Sequence, residues 1–170
     1  MYITRMIDTS LYTAFLFDMR GTIVRQQEEN EVITTPGLKE FLDLLKEEEK
    51  KLAVVTSSSR EQLEFLLKFL DLDAYFDVTV ARDDVKETKP SPEPYLKALE
   101  LLGVGAEEAI AFEDSVTGIT SAKDAGIFVV GVGEESIDPA ILEVADMHVK
   151  NFLKILEEIN SNNQGPVFGY

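Results

Sequence analysis

The sequence predicts an α/β protein built on a doubly wound parallel sheet, and two observations carry that expectation. Short, almost uninterrupted apolar runs recur along the chain, as strands covered on both faces require. Between them lie segments with apolar residues at helical spacing, and strand–helix alternation of this kind folds through right-handed crossovers.

In chain order the expected strands are "TAFLFD" (Thr13–Asp18), "KLAVVT" (Lys51–Thr56), "YFDVTV" (Tyr75–Val80), "AIAFED" (Ala109–Asp114) and "IFVVGV" (Ile127–Val132). Pro36 opens a helix in "PGLKEFLDLLKEEE", where Leu38, Phe41, Leu42 and Leu45 share one face. Further helices are expected at Arg60–Leu70, Pro92–Leu102, Val116–Ala125, Pro139–Ala145 and Asn151–Ile159, with His148 on a last strand in a structural or exposed role. The chain divides into an N-terminal extension (1–12), a core (13–160) and a tail (161–170) that composition marks as flexible.

At 170 residues and 45% hydrophobic, the chain can bury one sizeable core. Its 32 acids against 16 bases give a net charge of −16, which disfavours nucleic acid and anionic membranes as partners. The absence of cysteine excludes disulfides and thiolate chemistry. No stretch approaches the roughly 18 apolar residues of a membrane span, and the N-terminus lacks a signal-like apolar core. A soluble, cytoplasmic protein is the expectation.

In open α/β sheets ligands sit at the carboxyl ends of the strands. There the sequence places Asp18, Thr56, Glu113 and Asp114, with Lys86 and Lys89 in "KETKPSPEPY" ahead of a helix. Three carboxylates suit hard Mg²⁺, while lysine, hydroxyl groups and the turn amides after Gly21 suit phosphate. Plainer readings exist for each. Asp18 before Gly-Thr fits a turn or helix cap, Thr56 to Ser59 fit a cap of the helix near Arg60, and Lys89 fits a solvated loop. Adjacent Glu113 and Asp114 at a buried strand end, however, are costly without a cation.

Four stretches appear in an order that resembles the haloacid dehalogenase-like (HAD) superfamily, nearest to its β-phosphoglucomutase and small-phosphatase branch. They are "DMRGT", "VVTSSS", "KPSPEPY" and "FEDSVTGI", and the resemblance runs from Ala14 to about Phe152. It implies a Mg²⁺-dependent phosphomonoesterase in which Asp18 forms an aspartyl-phosphate. Asp18, Glu113, Asp114 and the backbone carbonyl of Arg20 would hold the metal, while Gly21, Thr22, Thr56, Ser57 and Lys89 would bind phosphate.

Two features depart from the family pattern. Arg20 stands where the family's phosphatases carry a second aspartate that protonates the leaving group and activates water, a role a guanidinium cannot fill. Three consequences are open: Arg20 contacts the phosphate, or folds onto the acids as a tethered cation, or leaves proton transfer to a neighbour or water. In addition, only about 33 residues separate Thr22 from Thr56, too few for an inserted cap domain. An open site suits a phosphorylated small molecule, a phosphorylated macromolecule, or a homo-oligomer whose neighbouring subunit covers it. The expected function is a weakly active phosphatase, and the alternative is a silent HAD-fold protein that binds or senses a phosphorylated ligand.

Overall fold

A computed structural model of the chain describes residues 7–26, 31–133 and 139–163. Strand β1 (Ala14–Phe17) leads into a hairpin of β2 (Val24–Gln26) and β3 (Val32–Thr34), then α1 (Leu38–Glu47) and β4 (Lys51–Val55). After α2 (Arg60–Phe69) come β5 (Val78–Val80), α3 (Glu93–Leu102), β6 (Ala109–Glu113) and α4 (Val116–Asp124). The described chain ends with β7 (Phe128–Val132), α5 (Pro139–Val144), β8 (Met147–Val149) and α6 (Phe152–Asn163). No described helix is long and apolar enough to cross a membrane.

Six strands form one sheet in the order β5-β4-β1-β6-β7-β8, every neighbouring pair parallel. Relative to chain order the path runs one way from β1 to β5 and the other way from β6 to β8. The reversal falls between β1 and β6, which makes the crevice beyond their carboxyl ends the natural ligand site.

Alternation along the strands fills two apolar layers. Phe15 and Phe17 of β1, with Ile110 and Phe112 of β6, face Leu38 and Phe41 of α1, Leu63 and Leu67 of α2, and Phe152 of α6. There the Phe17 and Phe112 rings stack with centroids 4.9 Å apart. The other parity, Ala14 and Leu16, Ala53 and Val55, Ala109 and Ala111, faces Tyr95, Ala98 and Leu102 of α3 and Ile119 and Ala122 of α4. The next position of that second parity is Asp18 after β1 and Glu113 in β6, so the same alternation that buries small residues against α3 sends both acids toward the start of α3.

The elements read from sequence are present, with adjusted ends. The first helix starts at Leu38 rather than Pro36, because the Pro36 carbonyl accepts the amides of Phe152 and Leu153 at the start of α6. β5 starts at Val78, since Tyr75 closes a turn onto Leu72 and Asp77 exchanges bonds with Leu52, its amide donating to the Leu52 carbonyl and its Oδ2 accepting the Leu52 amide. The β2–β3 hairpin was not legible: each strand has three residues. Between β1 and β4 the described residues hold only this hairpin and α1, and no cap domain.

Ahead of β1, Ile7 is buried in the larger core cluster and the Tyr12 ring lies against Phe15 and Phe128, so part of the expected N-terminal extension packs on the sheet. Residues 1–6 of the N-terminal extension, residues 27–30 and the last seven residues of the tail lie outside the described residues.

Candidate active site

Four side chains meet at the crevice between β1 and β6. The Asp18 amide donates to the Phe112 carbonyl at 3.0 Å, which prolongs the β1–β6 ladder by one rung and fixes the Asp18 side chain at its end. One carboxylate oxygen each from Asp18, Glu113 and Asp114 lie within 4.8 Å of one another. Into this group comes Lys89, whose Nζ donates to Asp18 Oδ1 at 2.7 Å, to Glu113 Oε1 at 2.5 Å and to the Val55 carbonyl at 2.9 Å. The ammonium is thus saturated by three acceptors and is only 6% exposed.

The loop that carries Lys89 is held on both sides. The amides of Lys86 and Glu87 each donate to the Glu93 carboxylate at 2.8 Å, and the Ser121 hydroxyl of α4 donates to the Ser91 carbonyl at 2.5 Å. The Lys89–Pro90 peptide bond is cis.

Two residues that the sequence reading did not single out complete the support of Glu113. The buried Tyr95 hydroxyl donates to Glu113 Oε1 at 2.5 Å. Gly118, in the first turn of α4, leaves a space that the Glu113 carboxylate fills, and a Cβ there would overlap it. Both left a signal. Tyr95 precedes Ala98, Leu99 and Leu102 at inward helical spacing, and a glycine inside a helix marks a close approach. Gly21 does the same for Asp114: with φ of 88° it accepts a conformation rare for other residues, and a Cβ would overlap the Asp114 carboxylate.

The charge balance is unusual. Burial, then the neighbouring Asp18 charge, pushes Glu113 up to about 8 and Asp114 up to about 7. Burial alone would lower Lys89, but the Asp18 and Glu113 carboxylates outweigh it and push the ammonium up to about 12. Burial and Glu113 likewise raise Tyr95, keeping it a neutral donor. One ammonium does not neutralise three carboxylates, so the metal-free cluster retains a proton near neutral pH that belongs to the group rather than to one residue. Glu113 Oε2 is buried without a hydrogen-bond partner among the described residues. An all-oxygen acid cluster with surplus negative charge and an orphaned carboxylate oxygen fits a hard divalent cation such as Mg²⁺.

The remaining expected residues take separate positions. Thr56 is buried, its amide donating to the Val80 carbonyl and its Oγ1 accepting the Ser58 amide at 3.1 Å, with Ser57 exposed beside it. Ser59 caps α2 by accepting the Gln62 amide, so the capping and site readings of "TSSS" fall on different residues. The Thr22 side chain is fully buried, with Oγ1 lacking a hydrogen-bond partner among the described residues. Arg20 is exposed and its Nε donates to Ser58 Oγ at 3.3 Å; among the described residues it forms no ion pair with the acid cluster. The tethered cation inside the cluster is Lys89.

An aspartate, a lysine and an acid pair thus converge at the switch point of a parallel α/β sheet. The family model for haloacid dehalogenase-like hydrolases matches residues 5–132, and the chain belongs to that family. The chain is 42% identical over 129 residues to the phosphorylated carbohydrates phosphatase of Thermotoga maritima, a match covering 73% of this chain and 60% of that protein. It is 43% identical over 97 residues to pyrophosphatase PpaX of Halalkalibacterium halodurans, covering 57% of this chain and 45% of that protein. A crystal structure from Thermotoga maritima, provisionally named a beta-phosphoglucomutase, superposes with a TM-score of 0.78 at 28% identity, covering 87% of this chain and 98% of that one. The matches thus span 45% to 60% of the length of these two curated relatives.

Proposed function

We propose that the chain is a Mg²⁺-dependent phosphomonoester hydrolase that works through an aspartyl-phosphate and turns over slowly. The observation that supports it most is the convergence of Asp18, Glu113 and Asp114 with Lys89 bridging the first two. Lys89 engages Asp18 Oδ1 and so fixes the orientation of the carboxylate at the crevice. In the first step an Asp18 oxygen–phosphorus bond forms as the bond from phosphorus to the ester oxygen breaks, the departing oxygen taking its proton from solvent; in the second, water attacks phosphorus and gives up its proton to solvent as the Asp18–phosphorus bond breaks, releasing inorganic phosphate and restoring the carboxylate. Asp18, Glu113, Asp114 and the carbonyl of residue 20 would hold Mg²⁺, which supplies charge neutralisation between carboxylate and phosphate. The Gly21 and Thr22 backbone, Thr56, Ser57 and Lys89 would contact the phosphoryl oxygens.

Arg20 cannot protonate the departing oxygen or deprotonate water, and loss of such a group costs on the order of 10² to 10⁴ in rate. Good leaving groups are therefore favoured. That the described residues between β1 and β4 hold only a hairpin and α1 supports an open site for a phosphorylated small molecule or macromolecule, or one covered by a second subunit.

The test is hydrolysis of p-nitrophenyl phosphate with and without Mg²⁺, with Asp18→Asn as control. Mg²⁺-dependent turnover that disappears in Asp18→Asn is expected. No turnover above the control overturns the hydrolase reading in favour of a phospho-ligand binding protein.

A further inference from the structure

A cavity of about 590 Å³ adjoins the acid cluster, with Asp114 in its lining. Among the described residues that line it, two are arginines, Arg20 and Arg25, and one, Asp114, is an acid. In a protein of net charge −16, two guanidinium groups on one cavity wall provide a local attraction for anions.

The two guanidinium groups are tied to different sides of the crevice. Arg20 follows β1 and its Nε contacts Ser58 on the β4 side, whereas Arg25 sits on β2 with Nη2 3.5 Å from the Lys150 carbonyl just after β8. The sheet order puts β4 and β8 on opposite sides of the β1–β6 switch point, and Val24, Val32 and Leu66 supply apolar lining of the same cavity. Guanidinium groups present planar paired donors that match carboxylate and phosphate oxygens. Neither is engaged with the acids that handle the reacting phosphoryl group.

We infer that Arg20 and Arg25 form a second anion subsite, and that the substrate class is phosphoesters or phosphoanhydrides carrying a second anionic group, carboxylate or phosphoryl, beyond the reacting phosphorus. This rests on the hydrolase reading of the adjoining acid cluster. It also gives Arg20 a role that the replaced aspartate could not perform: holding the anionic leaving portion, which needs less protonation when it departs already charge-stabilised.

The subsite is tested by calorimetric binding to the full chain at fixed free Mg²⁺, using methylphosphonate (one anionic group), phosphonoacetate (phosphonate plus carboxylate) and methylenebisphosphonate (two phosphonates). None can be hydrolysed, so the readout is independent of turnover. The wild-type chain is expected to bind at least one two-group probe about tenfold more tightly than methylphosphonate, and the probe that gains identifies the second group as carboxylate or phosphoryl. Arg25→Gln should reduce that ratio to about one and Arg25→Lys should restore part of it, with the Mg²⁺-induced rise in Tm checking that each variant is folded. A wild-type ratio near one overturns the subsite, as does a ratio that survives in both Arg25→Gln and Arg20→Gln. A tenfold ratio without Asp18-dependent turnover would retain the subsite and reject the hydrolase; turnover with a ratio of one would do the reverse.

Discussion

The Tyr95 hydroxyl and the Lys89 ammonium both donate to a single oxygen, Glu113 Oε1, each at 2.5 Å, while Oε2 of the same carboxylate has no partner among the described residues. One oxygen of Glu113 is thus doubly engaged, and the other packs against Gly118 without a hydrogen bond among the described residues.

Tyr95→Phe removes one of the two donors with little change in volume. It is expected to destabilise the folded chain by about 1–3 kcal/mol, the usual range for a buried acceptor that loses a partner. Denaturant unfolding at equal Mg²⁺ concentration measures it, and a change within experimental error would show that Lys89 alone satisfies Oε1.

Gly118→Ala separates helix propensity from site geometry because the two predict opposite signs. In an ordinary helix interior the substitution stabilises by about 1 kcal/mol. Here the added methyl meets the Glu113 carboxylate, so a loss of about 1–3 kcal/mol is expected from overpacking, with weakened Mg²⁺ binding. Urea unfolding decides the sign.

The acid cluster dictates a pH dependence. Glu113 and Asp114 are pushed up from 4.5 and 3.8 to about 8 and about 7 in the folded metal-free chain. A carboxyl group whose value rises on folding binds more protons in the folded state, so its contribution to stability falls as pH rises through the interval between the two values. The metal-free Tm should therefore decline from about pH 5 to about pH 8 through this cluster, and the Mg²⁺-induced rise in Tm should grow over the same interval as metal displaces protons. Thermal melts across that range, with and without Mg²⁺, measure both slopes. A metal effect independent of pH contradicts the assignment.

Lys89→Met should move two observables in opposite directions. Turnover is lost because Asp18 is no longer oriented, whereas Mg²⁺ binds more tightly because a resident cation has gone from among three carboxylates. Without metal the variant is expected to lose about 3–5 kcal/mol, as when one partner of a buried pair is removed. Calorimetric Mg²⁺ titration against wild type measures the second effect, and weaker binding would mean that Lys89 organises the metal ligands rather than competing with the ion.

Arg20→Asp restores an acid–base group at that position. Hydrolysis of alkyl phosphates, whose leaving oxygen needs a proton, should rise by on the order of 10² to 10⁴, while p-nitrophenyl phosphate gains far less. Steady-state kinetics on both substrates give the comparison. No gain on the alkyl ester would point to a site rebuilt around the arginine.

The layers and the acid cluster were legible because they depend on pattern. Continuous runs such as "AIAFE" announce strands buried on both faces, and period-two parity aligns Asp18 with Glu113. The hairpin was not legible because β2 and β3 have three residues each, too short for alternation to register. Arg25 was missed with it, since its place in the same cavity lining as Arg20 depends on how that hairpin folds. Tyr95 was visible as a core position but not as a donor, because helical spacing reports which side faces inward and says nothing of the polar atom waiting there. The Arg20 substitution was visible at once, but its contact with Ser58 depends on a loop after β4 that no local rule fixes.

The position of β1 in the middle of the sheet also governs the order in which the protein can be made. Lys89 lies 71 positions beyond Asp18, and Glu113 a further 24 beyond Lys89. On a ribosome Asp18 emerges long before its partners, and β1 waits between β4 and a β6 not yet synthesised. Such non-local pairing gives the chain a high contact order and slow folding. Any chain truncated before β6 exposes one edge of the wholly apolar β1, so interrupted synthesis is expected to yield aggregates rather than a partly working enzyme.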